Sequence, residues 1–151
     1  MTMEGRMAET FLNAATTFLV TDVERTIEWY ERVLGFEVAT TMRGHGPGQD
    51  DDVDDEHEHT GPVVFAIIQR GDIAIMLAAT TEPIRPNRDF PGASEAIDLY
   101  VWMGEPQDVA DLHDSCEQRG VPVLRPLAET FYEMVEFGIA DCDGRLIVFG
   151  A

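Results

Sequence analysis

The chain has 151 residues, 44% of them hydrophobic, and a formal net charge of −19, a length that supports one compact domain with its own core. The excess of carboxylates repels nucleic acid and anionic membrane surfaces, and no stretch approaches the ~20 apolar residues of a membrane span, so neither partner is expected. The first residues lack the basic and apolar regions of a secretory signal, which makes the cytoplasm the expected address.

The ten basic residues are all arginine. A lysine-free acidic surface suits a high-salt cytoplasm, where self-repulsion is screened, and the same field would draw in a cationic ligand. The two cysteines, Cys116 and Cys142, have no CxxC spacing and read as free thiols.

Residues 1–14 form a polar leader. Ala15 to Thr21 is β-branched and apolar and ends at Asp22, a helix-capping residue. Val23, Ile27, Tyr30 and Leu34 then recur at helical spacing before Gly35, which predicts a helix over Val23 to Leu34. Strands are expected over Phe36 to Thr41, Val63 to Arg70 and Ile73 to Ala79, with Gly71-Asp72 as the last hairpin turn. Residues 43–61 hold four glycines and the acidic run Asp50 to His59, and read as a mobile, charge-repelled loop. The proline-bearing stretch 80–95 reads as a linker.

The order then repeats. Ile97 to Met103 is a predicted strand, Gln107 to Arg119 a helix ended by Gly120, and Val121 to Leu124 a second strand. Phe131 to Ala140 is a long strand, Asp141 to Gly144 a turn, and Arg145 to Phe149 the closing strand. The pattern β-α-β-β-β therefore occurs in module one (15–79) and again in module two (96–150). Together they predict a single α+β domain over 15–150 built from a duplicated unit.

Two segments carry a family resemblance. Thr21 to Phe36, where an aspartate caps a helix that ends in Trp29-Tyr30 and then Leu34-Gly35-Phe36, resembles the first strand-to-helix passage of the glyoxalase, bleomycin-resistance and extradiol-dioxygenase superfamily, also called vicinal oxygen chelate proteins. Tyr132 to Gly144 is similar to that family's W-G-x-x-x-F…DPDG pattern, with glutamate in place of the glycine and Cys142 in place of the proline. The resemblance implies that each module curls its sheet into a half-barrel, that the two enclose a shared cleft, and that the protein is a homodimer. Enzymes of the family hold a divalent ion on histidine, glutamine or glutamate at the first and last strands of each module. Those positions correspond here to Ala15, Met76, Asp98 and Val148. One carboxylate among four positions does not make a metal site, so no metal and no cofactor are expected. The resemblance is closest to the metal-free, bleomycin-resistance-like members.

Alternation places Tyr100 and Trp102 on the same side of their strand as Asp98, where the rings could stack on a planar ligand or simply pack as core. Thr17 joins from the first strand. The expected cleft is thus Ala15, Thr17, Met76, Asp98, Tyr100, Trp102 and Val148, and the expected partner a small organic molecule. A lyase, isomerase or dioxygenase using a shifted metal site is the alternative, and a ligand-free structural or regulatory dimer the third reading. His57 and His59 read as part of a solvated charge run, His113 as a surface or packed helix residue, and His45 as a turn residue. No nucleophile motif or phosphate loop is present.

Overall fold

Local chemistry places the elements of the first module. The computed structural model describes residues 9–44 and 60–151; His45, His57, His59 and the acidic run lie outside them. Strand β1 (Ala15–Val20) turns Phe18 and Val20 inward and Thr17 and Leu19 outward. The Asp22 carboxylate accepts from the Arg25 N–H at 3.0 Å and starts α1 (Val23–Leu34). Gly35, at φ 68°, ends it in the left-handed region that glycine occupies without strain. β2 (Glu37–Arg43), β3 (Val63–Arg70) and β4 (Ile73–Ala79) complete the module.

Module two repeats this order with β5 (Leu99–Trp102), α2 (Pro106–Gln118), β6 (Val123–Glu129), β7 (Val135–Ala140) and β8 (Leu146–Gly150). The sheets run β1-β4-β3-β2 and β5-β8-β7-β6, with the first strand of each parallel to the last. The fold is therefore α+β and consists of two βαβββ modules. Each helix packs on one face of its own sheet, and the buried apolar residues of both modules form one cluster running from Phe18 and Ile68 to Phe137 and Phe149. On the opposite face of sheet one Thr17, Leu19 and Met42 are exposed; on that of sheet two Trp102 is exposed while Leu146 and Val148 are buried.

A buried polar knot joins the modules. The Tyr30 hydroxyl of α1 donates to Asp141 at 2.7 Å, and Asp141 also accepts from the Arg145 N–H and the Asp143 N–H, each at 2.9 Å. Arg145 pairs with Asp141 and Asp143, donates to the Leu19 carbonyl, and lies over the Phe18 ring. Arg25 reaches Asp143 at 3.3 Å. Burial, then the neighbouring Asp141 charge, raises the Tyr30 phenol well above its ordinary range.

Module two departs from the expected boundaries around its hairpin. β6 runs on to Glu129 through Pro126. A proline without an N–H is tolerated there because β6 is an edge strand with register shifts around Arg125. The chain then reverses at Thr130–Met134, with Glu133 at φ 62°, so β7 starts at Val135 rather than Phe131. Stretch 80–95 contains a short 3-10 turn, Asn87–Asp89, and is tied down by Asn87 N–H to Asp98 (3.0 Å) and Arg125 to the Glu95 carbonyl (2.9 Å).

Candidate functional site

Pairing registers arrange the open faces in rows. On sheet one, Leu19, Ala78, Phe65 and Met42 form one row, and Thr17, Met76, Ile67 and Thr40 the next. Ala15 pairs with Ala74 at the end of the sheet. On sheet two the rows are Tyr100, Val148, Gly138 and Arg125, then Trp102, Gly150 and Glu136. Three of the residues expected to share a cleft thus lie on sheet one, and Tyr100, Trp102 and Val148 lie together on sheet two.

Asp98 precedes β5, and its two carboxylate oxygens are taken by backbone donors, the Asn87 N–H at 3.0 Å and the Leu146 N–H at 2.8 Å. The carboxylate beside the rings is Glu136, a residue that strand alternation alone did not single out. Tyr100 leans from its own row across β8 into the space a side chain would fill at Gly150, where an added Cβ would lie 2.9 Å from the phenol Cζ. From there its hydroxyl donates to Glu136 Oε2, while the Tyr132 hydroxyl donates to Oε1 at 2.7 Å. Desolvation, followed by the Glu136 hydrogen bond and charge, raises the Tyr100 phenol; the Glu136 bond is the first cause of the rise at Tyr132.

Around this carboxylate stands an exposed aromatic group. Trp102 is 74% exposed and lies 4.8 Å, centroid to centroid, from Tyr100. Phe131, 98% exposed, meets Tyr132 edge-on. Trp102 also lines a cavity of about 770 Å³ between the modules, walled by Leu34, Ile73, Leu99, Leu112 and Phe149 with Asp72, Asp108 and Asp111 among its lining. Thr17 and Asp98 share a separate cavity of about 350 Å³ beneath stretch 80–90, and Ala15 lines one of about 260 Å³.

The four positions that correspond to family metal ligands do not fit a divalent ion. Ala15 and Val148 have no donor, Met76 offers a thioether, and both oxygens of Asp98 are engaged by backbone N–H groups. Elsewhere among the described residues, His113, Asp114 and Glu117 bring ligand atoms within 4.8 Å of one another on α2. The His113 ring packs edge-on against Phe137, and each of its nitrogens lies 3.4 Å from a carboxylate. Cys116 is buried, and burial raises its thiol. Burial, then Asp141 and Asp143, pushes Cys142 up to about 11, which keeps it protonated and unreactive at neutral pH. No helix among the described residues is long and apolar enough to cross a membrane.

Two βαβββ modules, each with a four-stranded sheet backed by one helix, define the fold class, and the sequence agrees. Residues 13–149 match the model of the Glyoxalase/Bleomycin resistance protein/Dioxygenase superfamily, and the chain belongs to that family. The fold is similar to TioX from Micromonospora sp. ML1 (21% identity, 93% of this chain and 98% of that one, TM-score 0.63). It is also similar to a lactoylglutathione lyase from Agrobacterium tumefaciens (15% identity, 95% of each chain, TM-score 0.62). A glyoxalase/bleomycin resistance protein/dioxygenase from Alicyclobacillus acidocaldarius shares it as well (14% identity, 95% of this chain and 93% of that one, TM-score 0.64). No curated protein matches the chain.

Proposed function

We propose that the protein binds a small organic molecule without a metal, holding a planar group against Trp102 and Tyr100 and a positive or hydrogen-bonding group at Glu136. The observation that carries this reading is a tryptophan 74% exposed on a sheet face, in contact with a tyrosine that is itself anchored to a carboxylate. Exposed apolar surface grouped around a fixed polar group marks a binding site rather than ordinary surface. Ring faces and a carboxylate suit a cation with aromatic character, and the net charge of −19 would speed its encounter. Metal independence is supported by the donor set at Ala15, Met76, Asp98 and Val148. The open face of sheet one, with Leu19 56% and Met42 60% exposed, is proposed to be covered by a second copy in a homodimer that light scattering would detect.

Fluorescence tests the binding reading. With Trp29 replaced by phenylalanine, Trp102 is the sole tryptophan. Titration of metal-stripped protein with phenethylammonium or benzyltrimethylammonium should change its emission saturably. Base-to-aromatic stacking is worth ~1–3 kcal/mol per ring in nucleic-acid sites, so Trp102→Ala should weaken binding about ten- to a hundredfold. If EDTA treatment abolishes binding and an added divalent ion restores it, the metal-free reading fails.

A further inference from the structure

The opposite corner of the same sheet face is built differently. A pocket of about 470 Å³ lies there, lined by Arg88, Ser94, Glu95, Leu124, Arg125 and Leu146. Arg125 ends the row that begins at Tyr100, and Arg88 comes from the short 3-10 turn of stretch 80–95. Arg125 directs one N–H to the Glu95 carbonyl, and neither arginine forms an ion pair among the described residues. Nη1 of Arg88 is buried with no hydrogen-bond partner.

What sets these two arginines apart is that they share one pocket and that one of them keeps a buried N–H without an acceptor. The chain has twenty-nine carboxylates and ten arginines; among the described residues Arg25 and Arg43 pair with one carboxylate each and Arg145 with two. Glu95 shares the pocket but meets Arg125 through its backbone carbonyl and forms no ion pair with either arginine; the two guanidinium groups repel each other, and a buried donor left without an acceptor is costly. An oxyanion answers both, because a carboxylate or phosphate accepts from guanidinium forks in the geometry they offer. Ser94 adds a hydroxyl to the same wall.

We infer that Arg88 and Arg125 form an oxyanion site that takes the carboxylate or phosphate group of an organic ligand. The inference names a second group on the ligand proposed above and rests on that reading only for the aromatic end. Glu136 lies on β7 two residues from Gly138, the partner of Arg125 on β6, so a strand spacing of ~4.8 Å and a rise of ~3.4 Å per residue put the backbones of Glu136 and Arg125 about 8 Å apart. A single aromatic ring carrying a charged group at each end matches that spacing. The ligand class is then an aromatic zwitterion, its ammonium group drawn to Glu136 and its oxyanion to the arginines.

The test follows the arginine side-chain Nε–Hε signals by NMR at fixed ionic strength, with the Arg88 signal assigned by its loss in Arg88→Ala. Probes are benzoate, phenyl phosphate, inorganic phosphate and benzyl alcohol. Benzoate or phenyl phosphate should shift the Arg88 signal saturably, benzyl alcohol should not, and the stronger anion identifies the group. Arg88→Ala should weaken binding of that anion about ten- to a hundredfold, and Arg88→Lys less. A zwitterion, 4-(aminomethyl)benzoate, should bind more tightly than benzoate and lose that gain in Glu136→Gln. An Arg88 signal unmoved by every anion, or moved equally by benzyl alcohol, overturns the inference. If benzoate binds through Arg88 while Glu136→Gln and Trp102→Ala leave the zwitterion unaffected, the oxyanion site stands and the aromatic reading is the one that fails.

Discussion

Gly150→Ala probes the notch that lets Tyr100 reach Glu136. The added methyl would lie 2.9 Å from Tyr100 Cζ and 3.0 Å from Glu136 Cγ, and closer still to the phenol oxygen. The ring must swing off β8, and its bond to Glu136 goes with it. That hydrogen bond to a carboxylate contributes at most ~1.5–3 kcal/mol, and the low end applies on a face open to water. Replacing glycine returns ~0.4–1 kcal/mol through the unfolded chain. The net loss is about 1 kcal/mol, or a fall of about 2–4 °C in Tm for a chain of this size. Ultraviolet titration reads the same event directly. All three tyrosines should ionise above the ordinary 10.0 in the parent, and one should move back toward it in the variant. Tm and titration both unchanged would refute the reasoning, because Tyr100 would not then occupy the Gly150 space.

Tyr30→Phe removes the 2.7 Å bond to Asp141. Asp141 keeps two backbone donors, so the cost is about 1.5 kcal/mol and Tm falls by about 3–6 °C by calorimetry. Raised acid groups stabilise the fold fully below their unfolded values and lose that contribution as pH climbs toward the folded ones. Tm should therefore begin to fall near pH 9.0, where unfolded Cys142 ionises, and fall further above 10.0 with Tyr30; Tyr30→Phe should flatten the second part. With a charge of −19 and no lysine, Tm should rise between ~0.05 and ~2 M potassium chloride. A flat response would sink the high-salt reading of the surface. After dialysis against cobalt, nickel and zinc, elemental analysis should find no equivalent that survives replacement of His57, His59 and His113 by alanine; one that does would contradict metal-free binding.

The fold was legible because its signals are local. Asp22 and Gly35 bracket α1; α2 starts at Pro106 behind a Glu105–Asp108 capping box and is followed by Gly120. The segments that revealed the family, around Tyr30 and Asp141–Gly144, prove to hold each other in the knot between the modules. They report architecture and say nothing of the ligand. Alternation placed Tyr100 and Trp102 on one face, and they touch there. Glu136 was hidden because its approach to Tyr100 depends on the register of three strands and on an empty side-chain position at Gly150. Arg88 was hidden because a proline-bearing linker gives no periodic sign of folding back onto a sheet.

The position of the bound ligand is the decisive observation. A crystal structure of the metal-stripped protein with a saturating aromatic ammonium compound, or with 4-(aminomethyl)benzoate, would suffice. The ring should lie against Trp102 and Tyr100 with the ammonium group at Glu136. A ligand found instead in the cavity of about 770 Å³ between the modules, away from Glu136, would contradict it.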